Sequence, residues 1–310
     1  MKAGFLAVLC LIAAPAGAYA FGSSSRGGAS AQFLELGAGA RGIAMGEAYS
    51  AVVADATALY WNPAALTRIK RRSVAVMHAP HVNNSYFDYA AYGQRLGGRA
   101  AFGASVQYFS AGGLDQTEAA GDDIGGLSPY DLAGTLGFAY EMEGVLDGYS
   151  AGLGAKFIQS RIVNSAQTGA VDAGVLSPAL LDGRLKLAFT LTNLGGALRF
   201  DRADEPLPLA MRLGGVYRFG ERLLVASDLG LPRNDRPFLA LGGEYRVLGP
   251  GAWSFAGRAG FNSRTIGSID GFTGASVGVG IGFDACEMDY AFVPLGGVGQ
   301  AHLLSLTYGF

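Results

Sequence analysis

The stretch Ala275-Ser276-Val277-Gly278-Val279-Gly280-Ile281-Gly282-Phe283 decides the reading of the fold. Side chains in a strand point alternately to opposite faces, so Ala275, Val277, Val279, Ile281 and Phe283 form one apolar face. The opposite face is bare or polar. A row of glycines this regular suggests a nucleotide loop, but the spacing is period two and never opens a helix. A close approach by another backbone explains the glycines better. No cofactor is expected.

The same alternation recurs from Ser73 onward, in Leu185, Leu187, Phe189 and Leu191 and in Phe102, Ala104, Val106 and Tyr108. Fourteen segments of about ten residues follow one another. Their cores run Val74–Met77, Phe87–Arg95, Ala100–Phe109, Tyr130–Tyr140, Ser150–Gln159, Gln167–Leu176 and Leu185–Leu194. The series continues Leu209–Phe219, Leu223–Leu229, Phe238–Val247, Trp253–Asn262, Ala275–Phe283, Glu287–Phe292 and Leu303–Phe310. Short connections such as Leu96-Gly97-Gly98, Gly220-Glu221-Arg222 and Asp284-Ala285 alternate with long ones such as Ser110–Pro129 and Gly195–Pro208. An even strand number with short turns at one end and long loops at the other belongs to single-chain outer-membrane barrels.

Composition supports this. Glycine fills 49 of 310 positions, against a usual ~7%, and charged residues make up only 15%. After Ala20 no stretch offers 18 consecutive apolar residues, which leaves a closed barrel as the way to satisfy backbone groups in lipid. The expected class is all-β: a transmembrane antiparallel β-barrel of about 14 strands in the outer membrane, surrounded by its lipid.

The ends of the chain agree. Residues 1–20 read as a signal peptide, with Lys2, an apolar run from Gly4 to Ala14 and the cleavage pattern Ala18-Tyr19-Ala20. Removing it makes the remainder one unit more negative than the −2 of the whole chain, and the balance excludes a nucleic-acid partner. Cys286 is then left without a disulfide partner. At the other end Leu304, Leu306, Tyr308 and Phe310 share one face, as in a signal read by the barrel-assembly machinery, with Tyr308 and Phe310 its key residues.

Residues 21–72 differ from all this. Ala40 to Leu66 is rich in small residues and almost free of charge, and it is expected to be a plug in the lumen of a 73–310 barrel. Asn62 followed by Pro63 starts a short helix over Pro63–Ile69, while Tyr60 and Trp61 offer apolar surface with polar tips. The strand register turns Asp131, Lys156, Lys186, Arg212, Arg218, Glu244, Arg258 and Asp289 into the lumen, where charges in a membrane protein find water or partners. With both signs interspersed, they are expected to pair with Arg41, Glu47 and Asp55 of the plug. Arg68, Lys70, Arg71 and Arg72 anchor the periplasmic interface. His78 and His302 come near each other if the barrel closes, and Asp115, Glu118, Asp122 and Asp123 lie in the longest loop. Neither group has a recognised ligand spacing, so no metal site is expected. No catalytic arrangement stands out, so an enzyme is not expected.

Two blocks carry a family resemblance. The first is Gly39-Ala40-Arg41-Gly42 with Met45-Gly46 and Asp55-Ala56-Thr57-Ala58-Leu59-Tyr60-Trp61-Asn62-Pro63-Ala64. The second is Asp289-Tyr290-Ala291-Phe292-Val293-Pro294 with Ser305-Leu306 and Phe310. They resemble the PorV/PorQ family, relatives of the FadL-type fatty-acid transporters. The resemblance implies a fourteen-stranded barrel with an N-terminal hatch. It leaves open a passive path for hydrophobic small molecules gated by the plug, a secretion-associated barrel that docks cargo proteins, and a purely structural barrel.

Overall fold

The computed structural model describes residues 29–310 apart from 82–83, 118–122, 201–202 and 267–269. The signal-peptide reading and positions Glu118 and Asp122 therefore lie outside the described residues. Where strand propensity and alternation coincide the chain is extended. The strands are β1 Arg72–Pro80, β2 Tyr86–Arg95, β3 Ala100–Ser110, β4 Leu114–Thr117, β5 Asp123–Leu127, β6 Tyr130–Glu141 and β7 Ser150–Arg161. They continue with β8 Ser165–Leu176, β9 Leu185–Gly195, β10 Ala197–Phe200, β11 Ala203–Pro206, β12 Ala210–Phe219 and β13 Leu223–Pro232. The last are β14 Phe238–Leu248, β15 Trp253–Asn262, β16 Ala275–Phe283, β17 Cys286–Pro294 and β18 Gln300–Gly309.

Fourteen of these close into one antiparallel barrel. The seam joins β1 to β18, with Val74 opposite Tyr308 and Val76 opposite Leu306. The other four form two small ribbons, β4 with β5 and β10 with β11, inside the two longest connections. Sequence reading treats both stretches as plain loops. Neither shows the long alternation that reports a half-buried strand, because a two-stranded ribbon over a barrel mouth has no continuous apolar face.

The pleat sorts side chains as a membrane barrel requires. On β16, Val277, Val279, Ile281 and Phe283 are 40–55% exposed while Ser276, Gly278, Gly280 and Gly282 face inward and are buried. The apolar face is therefore the outer one. No helix among the described residues is long and apolar enough to cross a membrane.

Residues 29–71 do not join the wall. They form a 3₁₀ turn at Gln32–Glu35, helix α1 Ala40–Ala44, helix α2 Ala58–Trp61 and a 3₁₀ stretch at Pro63–Arg68. Asn62 starts the last of these by accepting a 3.1 Å bond from the Ala64 N–H, with Pro63 in the first position. The expected short helix over Pro63–Ile69 is a 3₁₀ one and ends at Arg68, with Ile69 as its cap. The segment touches inward residues on many strands: α1 lies against β15, β16, β17 and β18, and Pro63–Arg68 lies against β2, β3, β6, β7 and β8.

Small wall residues admit it. A Cβ on Gly260 or Gly242 would collide with the Met45–Gly46 backbone, and one on Gly152 or Gly174 with Asn62, Pro63 and Ala64. Two apolar layers result. Phe33 and Leu34 pack with Ile158, Leu198 and Leu207 near the long loops, and Met45, Tyr49, Leu59, Trp61 and Leu66 pack with Leu176, Val216 and Leu224 nearer the turns.

The segment runs from one mouth to the other. The Ser30 N–H donates to the Pro206 carbonyl at the loop end, and the Arg95 N–H donates to the Arg71 carbonyl at the turn end.

Candidate functional site

The interface between the N-terminal segment and the inner wall carries most of the buried charge. Its centre is Glu244 on β14. Arg41 of α1 reaches it with two bonds, Nε to Oε2 and Nη2 to Oε1, both 2.8 Å. From the neighbouring strand the Arg258 Nε donates to the same Oε2 at 2.7 Å. Arg258 then bridges to β17, donating to Asp289 at 2.6 Å and to Glu287 at 2.9 Å, and Arg246 donates to Glu287 at 2.5 Å. Each guanidinium fork meets planar carboxylates, the geometry that makes such bonds strong.

Gly280 explains how β15 and β17 meet across β16. A Cβ there would stand 2.5 Å from Asp289 Oδ1 and 2.6 Å from Arg258 Nη1. Its bareness makes room for a wall ion pair. Gly282 likewise clears Ser254, and within that glycine row only Gly278 faces the segment, at Ala44. The expectation of one close backbone along the whole row is corrected accordingly.

Burial works against the charge on Arg41, but the Glu244 and Glu287 carboxylates outweigh it and hold its pKa well above the ordinary value. The Arg41 guanidinium also lies over the Tyr49 ring, 5.8 Å from its centroid. Burial pushes the Tyr49 hydroxyl well up, so Tyr49 stays neutral.

A second contact lies on β12 and β13. The Arg212 Nη1 donates to the Glu47 carbonyl at 2.8 Å, and its guanidinium stands 3.6 Å from the Glu47 carboxylate and 3.7 Å from Asp228. It also covers Trp61 and Phe238, at 5.4 and 5.5 Å from their centroids. The Ser50 N–H donates to Asp228 at 3.1 Å.

The remaining motif residues hold the segment to itself and fit it to the wall. Trp61 Nε1 donates to the Ala38 carbonyl at 2.7 Å, the Tyr60 hydroxyl accepts from the Gly37 N–H at 2.9 Å, and Asn62 Nδ2 donates to the Ser50 carbonyl at 3.2 Å. Tyr49, Tyr60 and Trp61 meet edge to face. Met45 is fully buried, and Pro63 fills the space above Gly152. Asp55 departs from its expected role: it accepts from the Thr57 N–H at 2.8 Å and the Thr57 hydroxyl at 2.5 Å, inside its own turn.

Other inward charges stay on the wall. Lys156 pairs with Asp172 at 2.9 Å and donates to Asn193 at 2.6 Å. Asp131 lines a depression at the loop end beside Ser30 and Ala31. Lys186 lies opposite Val216 across β9 and β12, two residues from Arg218 on β12, and Arg218 adds to burial in lowering Arg68 to about 10. Arg68 caps the segment by donating to the carbonyls of Ala51, Val52 and Val53. Tyr308 and Phe310 stack 5.3 Å apart on the outer face, away from this interface.

The sequence reading missed Arg246, Glu287, Asp228 and Asp172. The signal was present, since each lies an even number of residues from an inward position on its own strand. His78 bonds Asp88 and His302 bonds Tyr290, each at 2.6 Å, so the two histidines hold separate partners. Among the described residues no group of His, Cys, Asp and Glu is arranged to hold a metal.

A cavity of about 490 Å³ at the turn end is lined by Arg41, Tyr49, Asp55, Arg68, Arg246 and Glu287, among others. A pocket of about 40 Å³ lies midway beside Glu35, Tyr60, Trp61 and Arg212.

A closed fourteen-strand barrel with an apolar outer band defines an outer-membrane β-barrel, and the turn end is then periplasmic. The family model for the type IX secretion system protein PorV matches residues 26–224, and the chain belongs to that family. Solved structures share the fold. A Pseudomonas aeruginosa FadL homologue is 15% identical with a TM-score of 0.58, and the Pseudomonas putida toluene transporter TodX is 14% identical with 0.57. Each comparison covers 88% of this chain and 98% of the other. The curated proteins contain no match.

Proposed function

We propose that this barrel works in type IX secretion as a stoppered outer-membrane platform that docks secreted cargo, with residues 29–71 as a plug held shut. The observation that supports this reading most is the Arg41–Glu244–Arg258 linkage, which ties the segment to two wall strands inside a bore already filled by two apolar layers. A buried network of this kind is strongly destabilised when one partner is removed, so the resting plug is a stopper. Membership of a secretion family supplies the class of partner.

A second reading is passage of hydrophobic small molecules gated by the plug. The cavity of about 490 Å³ beside Arg41 and Tyr49 favours it, because it leaves the segment somewhere to move.

One experiment separates the two. Full-length barrel is isolated from cells exporting a type IX cargo, and uptake of a hydrocarbon is measured in the same strain with and without the barrel. Docking predicts that the cargo co-isolates and that uptake does not depend on the barrel. Barrel-dependent uptake without cargo would replace the first reading by the second.

A further inference from the structure

At the turn end the segment leaves the bore through Lys70-Arg71-Arg72, and all three residues are exposed. Among the described residues neither Lys70 nor Arg71 has an ion-pair partner, and the Arg72 guanidinium lies 5.7 Å from the centroid of the Phe310 ring. Such a run of unpaired cations repels itself unless an anion joins it.

The run borders a groove of about 290 Å³. Its lining comprises Lys70, Arg71, Arg72, Gln94, Arg95 and the Gly97-Gly98 turn, so it holds four cations and no carboxylate. Arg95 is partly occupied, donating to the Thr67 and Gly98 carbonyls and standing 3.4 Å from Glu141. Lys70 and Arg71 are not, and Arg72 has the ring contact with Phe310. Gly97 and Gly98 leave open space where side chains would stand, so the turn does not crowd the groove.

The height and facing of the groove identify its occupant. Arg72 and Gln94 are paired across β1 and β2 and belong to the outward alternation of their strands. On the same side and at the same end, Tyr308 stacks on Phe310 and Tyr92 meets Phe102 at 6.0 Å. Aromatic rings in this position mark the level of lipid headgroups. A cationic groove at headgroup level, open to the outside at Arg72 and Gln94 although Lys70, Arg71 and Arg72 also rim the cavity in the bore, has the chemistry of a phosphate site served from the membrane.

We infer that the groove formed by Lys70, Arg71, Arg72 and the Gly97-Gly98 turn binds the headgroup of an anionic phospholipid in the periplasmic leaflet. The lipid phosphate takes the unpaired guanidinium and ammonium groups while its chains lie along the apolar outer face of β1 and β2. The inference is independent of whether the barrel docks cargo or passes small molecules.

Native mass spectrometry of the full-length barrel tests it, using equal amounts of phosphatidylglycerol and phosphatidylethanolamine. The wild type is expected to retain phosphatidylglycerol preferentially. The triple variant Lys70→Gln, Arg71→Gln, Arg72→Gln is expected to lose roughly one to two orders of magnitude of that preference. Arg71→Gln alone is expected to lose roughly a fewfold. A control variant with Arg184→Gln and Arg222→Gln, elsewhere on the same rim, is expected to keep it. Equal retention of the two lipids by the wild type overturns the inference, as does full preference in the triple variant. It is overturned equally if the control loses as much as the triple variant, or if an acidic peptide or inorganic phosphate occupies the site ahead of the lipid.

Discussion

Arg41 and Glu244 lie 203 positions apart in the chain and meet through two bonds of 2.8 Å. Glu244 is 3% exposed, and Arg258 meets it from the other side with its own side chain sealed from solvent. One carboxylate therefore bridges two guanidinium groups, the second of which also holds Asp289 and Glu287. Replacing it with an amide takes from Arg41 the carboxylate it donates to and leaves Arg258 with Asp289 and Glu287.

Glu244→Gln is expected to cost about 3–5 kcal/mol, the range for breaking a buried ion pair from one side. The gel transition from folded to heat-unfolded barrel would move to lower temperature. An unchanged transition would remove the linkage from any account of how the segment is held.

Two glycines three positions apart on β15 give a controlled comparison. A methyl group on Gly260 would collide with the Met45–Gly46 backbone, while one on Gly257 meets open space. Gly260→Ala is expected to cost at least about 1–3 kcal/mol by overpacking, or to expel the segment and expose residues 40–66 to protease. Gly257→Ala should behave as wild type. Limited proteolysis of the two variants, side by side, decides this.

Asn62→Ala removes the cap on the Ala64 N–H and the bond to the Ser50 carbonyl together. The cap alone accounts for about 0.5–2 kcal/mol. Denaturant titration in detergent should place the variant below wild type by at least that amount. Asn62→Asp keeps the acceptor, and it should recover the cap while losing the bond to Ser50.

Glu35 gives a pH signature. Burial raises its pKa, and Arg264 at 3.6 Å only partly offsets this. The folded state thus holds this proton more tightly than the unfolded chain, so the contribution of Glu35 to stability grows as pH falls through the raised value. It levels off below the unfolded value of about 4.3. The difference in thermal midpoint between wild type and Glu35→Gln should shrink between pH 7 and pH 4, with Glu35→Gln the more stable at pH 7. A constant difference over that interval would argue against a raised pKa.

The barrel was legible because lipid imposes one rule on every strand. A residue such as Val279 or Leu306 must face outward, and that obligation repeats every second position. The ribbons β4–β5 and β10–β11 answer to no such rule, and nothing in Leu114–Thr117 or Ala197–Phe200 announces them. Inside the bore, alternation indicates which side a charge faces but not what it meets. Lys156 and Arg258 share the inward side, yet the first pairs with Asp172 on its neighbour strand and the second serves a network that reaches α1. Asp55 was misread because Thr57, two positions on, satisfies it locally. The role of Gly280 was hidden for a related reason, since its neighbours in space are Arg258 and Asp289 on two different strands.

Ser30 is fastened at one mouth of the barrel and Arg71 at the other, with β1 beginning immediately afterward. The polypeptide is therefore threaded through a ring that its own later residues make. The last ladder to form in chain order is β1 with β18, through pairs such as Val76 with Leu306. Closing that ladder before the thread is in place would require residues 29–71 to be drawn lengthwise through the finished ring. Zipping β18 onto β1 around a thread already lying against β14 to β17 avoids this, so the seam also acts as the clasp that makes the thread captive.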